Sequence, residues 1–476
     1  MRFSRIFAII SLMLMGCGLL MLVPAIVDTV TQHNFINPFT LAALFTMLMG
    51  LFVFLCCPKE QLPLHPKEMF LTTTLMWLLY ATFSAIPYYL PPHAMTLADA
   101  FFEAMSGLTG TGATILTDLE NETAGTLLWR SMSQWLGGIG IIVVALIILP
   151  KLQIGGMQLF STESSALSER INPTIRQSIR DIFIYFILLS ILCGLCLFLA
   201  GMSPFDAINH AMATISTGGF STHDQSIAYF NSPAIEWTMI VFMIMGGLPL
   251  VLGPHIFFKR WDLIKNNVQI ITFFKFVFLA CLFLIPVVGF SQIRTIIFQV
   301  VSIITSSGFV TATYTTWGTF ATAMFLFLMA CGACTGSTSG AIKMFRFSII
   351  TRIISTKMRS LIKPYAVFIP RYGTKIIDAE IASSVLFFLS LFFITFICAT
   401  LALSALGLDL ITAFSGALSC ISNVGPAIGN IIGPDQTYAS LPDAVKWILS
   451  FVMLAGRLEF TSLIALFLPF LWRKNV

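Results

Sequence analysis

The chain repeats one short polar motif four times, and this repetition constrains its fold more than any single residue does. Each copy follows an amphipathic run and has a hydroxyl residue three positions before its last glycine. The copies are Thr109-Gly110-Thr111-Gly112, Ser216-Thr217-Gly218-Gly219, Thr305-Ser306-Ser307-Gly308 and Ser422-Asn423-Val424-Gly425. Internal repetition indicates one structural unit used several times. Four copies in one chain therefore predict four walls around one central hole.

The composition places these units in a membrane. Hydrophobic residues make up 57% of the chain and charged residues 10%, which excludes an ordinary soluble domain and a disordered chain. A helix needs about 20 apolar residues to cross a hydrocarbon core of about 30 Å. The candidate spans are residues 6–27, 38–57, 69–90, 130–149, 181–200, 236–258, 268–289, 319–342, 380–405 and 447–472. The first is interpreted as a retained span rather than a cleaved signal peptide.

The basic residues indicate how the spans are oriented. Most of the 26 lysines and arginines fall in segments that share one side of the membrane with both termini. By the positive-inside rule, we expect the N- and C-termini to be cytoplasmic. The net charge of +5 is then a topology signal. The expected partner is the lipid bilayer, and no nucleic-acid partner is predicted.

Each polar motif lies between two spans and follows a helix too short to cross a membrane. These short helices are predicted at residues 97–108, 204–215, 293–304 and 410–421. Asp99, Ser203-Pro204 and Asp409 provide start signals for three of them. The repeating unit is therefore a span, a re-entrant pore helix, a filter loop and a second span. The predicted fold is an all-α integral membrane protein with four such pseudo-repeats around one central pore.

The chain divides into five predicted segments. An N-terminal two-helix hairpin without a motif covers residues 1–66. The four pore repeats are predicted at residues 67–155, 156–265, 266–378 and 379–476, and the third contains a broken inner helix. No GxGxxG motif and no P-loop occur in the sequence. We therefore predict no cofactor in this chain and expect any nucleotide control to come from another protein.

The motif suits a cation that sheds its water. Irregular backbone at membrane depth is tolerated only where protein buries it or where it lines a cavity. Glycine permits backbone angles that turn carbonyl groups inward, and rings of such groups replace the hydration shell of K⁺ in potassium channels. The motifs contain no acidic residue, which disfavours a divalent ion. The C-terminal ends of the four short helices add a field that favours cations.

We therefore predict a filter that binds K⁺ through backbone carbonyl groups. Its candidate residues are Gly110, Thr111, Gly112, Thr217, Gly218, Gly219, Ser306, Ser307, Gly308, Asn423, Val424 and Gly425. The alternative is that these small residues pack helices, as they commonly do in membrane proteins.

Two further features predict a gate. Arg457 lies within the last span, where a charge costs at least about 2.5 to 3.5 kcal/mol. It either lines the ion path below the filter as an electrostatic barrier or forms an interhelical ion pair. The many glycines and hydroxyl residues of 332–340 predict a flexible loop in the middle of the eighth span, and a kinked packing helix is the alternative. The candidate gate residues are Gly332, Thr335, Gly336, Ser337, Gly340 and Arg457.

Three polar residues occupy equivalent positions on the first three short helices. Glu103, His210 and Gln299 each lie nine positions before the last glycine of their motif. We expect them to make polar contacts behind the filter rather than to bind the ion.

With these residues identified, the chain resembles the Trk/Ktr/HKT superfamily of potassium-translocating proteins, and its TrkH branch in particular. The extra N-terminal hairpin favours that branch. The other matching segments are Leu128-Trp129-Arg130-Ser131 with Gln134-Trp135-Leu136-Gly137-Gly138, Gly156-Met157-Gln158-Leu159-Phe160, Gly336-Ser337-Thr338-Ser339-Gly340 before Ile342-Lys343, and Gly456-Arg457-Leu458-Glu459.

The resemblance carries implications for the site and its setting. It implies that Gly112, Gly219, Gly308 and Gly425 are the filter glycines and that 332–340 is an intramembrane gating loop. It places Arg457 beneath the filter. It also implies a homodimer in the bacterial inner membrane, with one pore per protomer and a cytoplasmic ring of nucleotide-binding TrkA-type subunits.

The sequence leaves two transport functions open. The first is passive K⁺ uptake through a gated filter. The second is an obligately coupled K⁺/H⁺ or K⁺/Na⁺ symporter, which usually carries intramembrane acidic residues; Glu380 and Glu459 are the few candidates. An enzyme would need a catalytic dyad or a metal cluster. His210 and Glu103 make neither, so no enzymatic activity is predicted.

Overall fold

The computed structural model describes residues 3–33, 35–57, 66–147, 175–254, 265, 267–373, 375–429, 431–460 and 463. Apart from one small β-hairpin, the regular structure in this part of the chain is helical. The helices are α1 (Phe3–Gln32), α2 (Pro38–Cys56), α3 (Pro66–Ser84), α4 (Ile86–Tyr89), α5 (Leu97–Thr109), α6 (Ala124–Ile147), α7 (Ile175–Leu199), α8 (Pro204–Ile215), α9 (Pro233–Gly247), α10 (Val268–Val288), α11 (Ile293–Ile304), α12 (Thr319–Ala330), α13 (Met344–Ile362), α14 (Ala379–Ala405), α15 (Leu410–Ser422) and α16 (Asp443–Arg457). Short 3-10 turns cover Leu119–Asn121, Ser226–Phe230, Leu250–Leu252, Phe290–Gln292 and Tyr314–Trp317. Strands β1 (Arg371–Tyr372) and β2 (Lys375–Ile376) pair antiparallel.

Long apolar helices form the outer part of the fold. Six stretches of the described chain are long and apolar enough to cross a membrane: Ser4–Gln32, Pro38–Cys56, Glu68–Tyr89, Ile179–Leu199, Val268–Val288 and Ala379–Ala405. Large apolar side chains such as Leu19, Phe52 and Leu195 are exposed on them. Such surfaces suit contact with lipid rather than with water.

The four predicted re-entrant helices are present as α5, α8, α11 and α15. Each has 12 or 13 residues and is therefore too short to cross a bilayer. Ser203 and Asp409 cap α8 and α15 by accepting hydrogen bonds from the backbone N–H groups of Asp206 and Thr412. Helix α5 begins at Leu97, as predicted, with Asp99 in its first turn, and the side chain of Thr96 is its N-cap.

The re-entrant helices and the spans pack in a closed cyclic order. Within each repeat, the re-entrant helix contacts a span of its own unit: α5 contacts α6, α8 contacts α7, α11 contacts α10 and α15 contacts α14. Three of them also contact the inner helix of the preceding repeat, since α8 packs on α6, α11 on α9 and α15 on α12. The first re-entrant helix, α5, packs on α16 from the last repeat. This last contact closes the ring.

Three inner helices end before the predicted spans do. Helices α9, α12 and α16 end at Gly247, Ala330 and Arg457, whereas the apolar runs continue to 258, 342 and 472. Pro249 disfavours helix at the residue before it, and Glu459 adopts a positive φ of 54° after α16. A 15-residue helix rises only about 23 Å, so these helices stop part of the way across. Residues 255–258, 461–462 and 464–472 lie outside the described residues.

The N-terminal hairpin is attached to the first repeat by one buried carboxylate. Asp28 on α1 is 1% exposed. One of its oxygens accepts a hydrogen bond from the Gly125 backbone N–H at 2.6 Å, and the other accepts one from the Thr123 hydroxyl at 3.2 Å. Gly125 is in the first turn of α6, where backbone N–H groups have no partner within the helix. A side chain of the hairpin therefore caps a helix of the pore.

Removing this cap should loosen the hairpin. We expect Asp28→Ala to lower the stability of the purified protein by about 1 kcal/mol or more, the usual cost of losing an N-cap. The measurement is thermal unfolding in detergent, followed by size-exclusion chromatography. Thr31→Ala is the matched control, because the hydroxyl of Thr31 is exposed and contacts only carbonyls of its own helix. Equal melting temperatures for the two variants would contradict the capping role.

Candidate ion-conduction site

All four re-entrant helices end in the same hydrogen-bonded turn. After each helix, one backbone N–H donates to the carbonyl three residues back and the next N–H donates to the carbonyl five residues back. In the first repeat these donors are Gly110 and Thr111, and the acceptors are Gly107 and Ser106. The equivalent donors are Thr217 and Gly218, Ser306 and Ser307, and Asn423 and Val424. This pattern is the Schellman motif. It satisfies the backbone donors where the chain leaves the helix.

The residue that starts each turn has a positive φ, between 52° and 66°. In three repeats its side chain makes a hydrogen bond to the segment 331–342 or to a neighbouring motif. Thr217 donates to the Thr338 hydroxyl at 3.1 Å, Ser306 accepts from the Gly340 N–H at 2.7 Å, and Asn423 donates to the Thr111 hydroxyl at 3.0 Å. Gly110 is the exception. The guanidinium of Arg457 lies there instead, 3.6 Å from where a Cβ of residue 110 would be.

The four glycines that end the motifs form a closed ring. Their φ values lie between 74° and 96°, a region that favours glycine. A Cβ atom added to any of them would lie closer than 3.0 Å to a carbonyl oxygen of the next loop, a separation that real Cβ atoms essentially never show. These contacts run from Gly112 to Gly218, from Gly219 to Ser307, from Gly308 to Val424 and from Gly425 to Thr111. Only glycine fits at these four positions.

The ring leaves carbonyl oxygens available as ligands. Among the described residues, nothing donates a hydrogen bond to the carbonyls of Thr111, Ser307 or Val424. The fourth carbonyl, that of Gly218, accepts one from the Gln134 side chain at 2.6 Å. A cavity of about 480 Å³ lies above the ring, and Gly112, Gly219, Gly308 and Gly425 all line it. The predicted filter residues are thus brought together around one opening.

A buried ion pair supports the first two loops from behind. Glu103 on α5 and Arg130 on α6 are 0% and 1% exposed, and their side chains are 2.8 Å apart. The Glu103 carboxylate also accepts from the Ile115 N–H at 2.9 Å, while Arg130 donates to the Ser221 carbonyl at 3.0 Å. Arg130 further stacks over the Phe220 ring, 4.2 Å from its centroid. One pair therefore connects the segments that follow two different motif glycines.

The other repeats use different side chains for the same purpose. His210 bonds to the Ser221 hydroxyl at 3.0 Å, and Gln299 donates to the Ala312 carbonyl at 3.1 Å. In the fourth repeat, the Ser415 hydroxyl accepts from the Ile428 N–H at 3.2 Å. Each contact joins a re-entrant helix to the chain just after its motif glycine. These geometries fit the expectation that Glu103, His210 and Gln299 act behind the filter.

The rim above the ring carries acidic groups. Oxygens of Asp118, Glu120 and Asp224 lie within 4.8 Å of one another on the exposed surface. Burial and the neighbouring Glu120 carboxylate raise the pKa of Asp224 above its ordinary value. Asp224 and Asp435 line the cavity that opens onto the ring. These charges would raise the local concentration of cations at the entrance.

The segment 331–342 forms a buried loop below the ring. Its ends meet, since the Gly332 N–H donates to the Ile342 carbonyl at 2.8 Å and the Ile342 N–H donates to the Ala330 carbonyl at 3.1 Å. Within the loop, the Thr335 N–H donates to the Gln269 side chain at 2.8 Å, and the Gly336 carbonyl accepts from the Leu250 N–H at 3.0 Å. The chain here is neither a continuous nor a kinked helix.

Two cationic side chains hold carbonyl groups of this loop. Lys343 donates to the Ser339 carbonyl at 2.7 Å, and Arg457 donates to the Thr338 carbonyl at 2.7 Å. Arg457 is 4% exposed and ends α16, where the helix dipole favours a positive charge. Within the described chain, no carboxylate lies within 4.0 Å of Arg457. The loop, the ring and Arg457 therefore form one contiguous polar cluster.

A second ion pair, between a buried arginine and a partly exposed glutamate, lies beside this cluster. Arg346 on α13 is 2.5 Å from Glu459, and its guanidinium lies 3.6 Å from the centroid of the Phe388 ring. Arg346 comes three residues after Lys343, and Glu459 comes two residues after Arg457. The pair thus joins the chain that leaves the loop to the chain that leaves α16.

The sequence predicted the candidate filter and loop residues, but it did not predict several side chains that bond to them. The roles of Gln134, Arg130, Gln269 and Lys343 were not predicted, although Arg130 and Gln134 lie in a segment that carries the family resemblance. The available signal was an arginine at the start of the predicted span 130–149, which follows the first motif. The matching segment Gly156-Met157-Gln158-Leu159-Phe160 lies outside the described residues.

Comparison with known proteins agrees with this architecture. The family model of TrkH, described as a cation transport protein, matches residues 35–290 and 288–474. The potassium uptake protein TrkI of Halomonas elongata is 36% identical over 99% of this chain and 98% of its own length. The potassium uptake protein TrkH of Escherichia coli K12 is 34% identical over the full length of both chains.

A solved structure extends the match to three dimensions. The crystal structure of the potassium transporter TrkH from Vibrio parahaemolyticus superposes with a TM-score of 0.91 at 30% identity, covering 99% of this chain and all of the other. The predicted fold class and the predicted family resemblance are both confirmed. This chain belongs to the TrkH family of cation transport proteins.

Proposed function

We propose that this protein takes up K⁺ through a gated filter formed by its four loops. The observation that carries the proposal is the ring in which each motif glycine touches a carbonyl of the next loop. The ring surrounds uncharged peptide oxygens, which are the ligands that replace the hydration shell of K⁺. The potassium uptake proteins among its relatives support the same cargo.

The proposed ligands are the backbone carbonyls around Gly112, Gly219, Gly308 and Gly425. The four helix ends beside them add partial negative charge, and the motifs contribute no carboxylate. This combination favours a monovalent cation over a divalent one. Because Gln134 already donates to the Gly218 carbonyl, that oxygen would be a weaker ligand than its three counterparts. The proposed ion site is therefore fourfold in backbone but unequal in ligand strength.

The loop 331–342 and Arg457 are the proposed gate. The loop lies directly below the ring, because Thr217 and Ser306 bond to Thr338 and Gly340. The proposed gate residues are Gly332, Thr335, Gly336, Ser337 and Gly340, with Arg457 as an electrostatic barrier. Opening would require the carbonyls of Thr338 and Ser339 to separate from Arg457 and Lys343. Opening would therefore break hydrogen bonds and no covalent bond.

The proposed setting follows the family resemblance and the charge distribution. We place the protein in the bacterial inner membrane with both termini in the cytoplasm. The proposed assembly is a homodimer with a cytoplasmic ring of TrkA-type subunits. Uptake is proposed to be passive, driven by the electrochemical gradient of K⁺.

The experiment that tests passive uptake is voltage clamp of the purified protein in planar bilayers. We expect a reversal potential that follows the K⁺ gradient alone. A reversal potential that shifts with the pH or Na⁺ gradient at constant K⁺ would instead establish the coupled symporter.

The ring predicts that an added methyl group blocks conduction. We expect Gly219→Ala to reduce K⁺ flux by at least about tenfold, since the Cβ would collide with the Ser307 carbonyl; a tenfold loss corresponds to about 1.4 kcal/mol in the barrier. The measurement is K⁺ uptake in cells that lack other uptake systems. Gly407→Ala is the matched control, because Gly407 has a similar φ of 92° with nothing within 4 Å of its would-be Cβ. Normal uptake by both variants would refute the ring as the conduction site.

The barrier role of Arg457 predicts faster flux when its charge is removed. Two unit charges about 4 Å apart interact by about 4 kcal/mol at an effective dielectric constant of about 20, and by half that at twice the separation, so Arg457→Gln should raise K⁺ conductance about tenfold or more. Arg457→Lys keeps the charge and should stay near the wild-type value. Single-channel recording provides the measurement. Equal conductance in the two variants would show that the charge is not the barrier.

The ion pair between Arg346 and Glu459 predicts that removing one partner lowers the stability of the protein more than removing both. Glu459→Gln leaves Arg346 buried without its counter-charge and should cost about 3 kcal/mol or more. Replacing both residues, as in Arg346→Met with Glu459→Gln, should cost less because no charge is left buried. Thermal unfolding of the two variants and of Arg346→Met alone completes a double-mutant cycle. Additive losses would mean that the two side chains do not interact.

A further inference from the structure

Two buried side chains bond to carbonyl groups of the ring itself. Each loop offers two such groups: the carbonyl of the residue before the motif glycine, called here the preceding carbonyl, and the carbonyl of the glycine. Among the described residues, nothing donates a hydrogen bond to three of the four preceding carbonyls or to three of the four glycine carbonyls. The exceptions are Gly218 in the first set and Gly425 in the second. One carbonyl of each set is therefore held by a side chain.

Gln134 holds the preceding carbonyl of the second loop. This residue is fully buried on α6, a helix of the first repeat. The Phe220 N–H donates to its Oε1 at 3.1 Å, and its Nε2 donates to the Gly218 carbonyl at 2.6 Å. Because a backbone N–H can only donate, the first contact fixes which end of the side-chain amide faces the carbonyl. Gln134 therefore spans the backbone on both sides of Gly219.

The second loop has a gap that admits this side chain. A Cβ atom added to Gly218 would lie closer than 3.0 Å to the side-chain amide of Gln134, so only glycine leaves room for it. The other loops have Thr111, Ser307 and Val424 at the equivalent position. The second copy of the motif thus differs from the others at the one place where a donor approaches the ring.

Tyr438 holds the glycine carbonyl of the fourth loop. Its hydroxyl donates to the Gly425 carbonyl at 2.8 Å, and the residue is buried. The side chain is fixed by two further contacts, since the Tyr438 N–H donates to the Thr114 carbonyl at 2.8 Å and the ring lies 5.4 Å from that of Phe102. Both of these partners belong to the first repeat. The position of the fourth carbonyl is therefore set by a rigid donor.

The supports behind the loops bond elsewhere. They contact the chain after the motif glycines and reach neither set of carbonyls. Such contacts can position a loop without changing its ligands. A donor on the carbonyl oxygen polarises the ligand itself and limits its movement toward an ion. The residues with contacts of the first kind are Glu103, His210, Gln299 and Ser415.

We propose that Gln134 and Tyr438 set the ion preference of the filter by weakening one carbonyl in each set. Both accounts of selectivity in carbonyl filters, the size of the site and the field strength of its ligands, depend on how closely the carbonyls approach the ion. Na⁺ is smaller than K⁺ and needs the closer approach. A carbonyl that is tied to a donor serves the smaller ion less well, so both side chains favour K⁺. This inference rests on the K⁺ filter in the proposed function.

Equilibrium ion binding tests the proposal without ion flow. Isothermal titration calorimetry of the full-length protein in detergent, with choline as the background cation, gives the Kd for K⁺ and for Na⁺. We expect Tyr438→Phe to lower the ratio of the Na⁺ Kd to the K⁺ Kd by about threefold or more, the scale on which loss of one hydrogen bond acts. Tyr314→Phe is the matched control and should keep the wild-type ratio. The Tyr314 hydroxyl is buried and has no hydrogen-bond partner within the described chain.

Gln134→Met provides an independent variant in a different loop. Methionine keeps the length of the side chain but makes neither of the two hydrogen bonds, so we expect the same direction of change. Thermal unfolding and size-exclusion chromatography show which variants are folded. A change of the ratio in only one folded variant would assign the role to that side chain and remove it from the other.

Two outcomes would overturn the proposal. The first is a wild-type preference for K⁺ that both folded variants retain, which would leave the proposed transport function standing. The second is an equal change in Tyr314→Phe, which would mean that loss of any buried hydroxyl alters binding. A wild-type protein that binds neither ion would instead contradict the proposed filter itself.

Discussion

The need to satisfy backbone polar groups at membrane depth governs this structure. An unpaired N–H or C=O in hydrocarbon costs several kcal/mol, yet four segments of the chain leave helical structure in the middle of the protein. The Schellman turns after α5, α8, α11 and α15 pair the N–H groups within each repeat. Of the carbonyls that follow, those of Thr111, Ser307 and Val424 have no donor among the described residues. A cation shared by the four loops would provide the missing partner, so backbone satisfaction and ion binding have the same physical basis.

The four repeats share a backbone but differ in the side chains beneath it. Thr217, Ser306 and Asn423 each extend a polar group toward the underlying structure, whereas Gly110 leaves room for Arg457. Because Gly110 has no side chain, the guanidinium of Arg457 can reach this position from the last repeat. The third repeat contributes the loop 331–342 to the same region. A nearly fourfold ring of motif glycines is thereby combined with a strongly asymmetric polar cluster beneath it.

Local patterns in the sequence predicted most of this arrangement. The re-entrant helices and the break near Gly332 followed from short periodic runs, glycines and capping residues, because these signals act within a few residues. The pair Glu103–Arg130 and the pair Arg346–Glu459 did not follow, since the second spans 113 positions and depends on tertiary packing. The ends of α9 and α16 were also missed. Apolar composition continues past them, while Pro249 and the turn at Glu459 interrupt the helix.

The central claim is that the four loops enclose one dehydrated ion, and heavy-ion substitution tests it most directly. Crystals of the protein grown in rubidium or thallium salts should give an anomalous scattering peak inside the ring, at similar distances from Gly112, Gly219, Gly308 and Gly425. The carbonyls of Thr111, Ser307 and Val424 should lie nearest to it. A ring without a peak at saturating salt, or a peak bound only by carboxylates at the rim, would contradict the account.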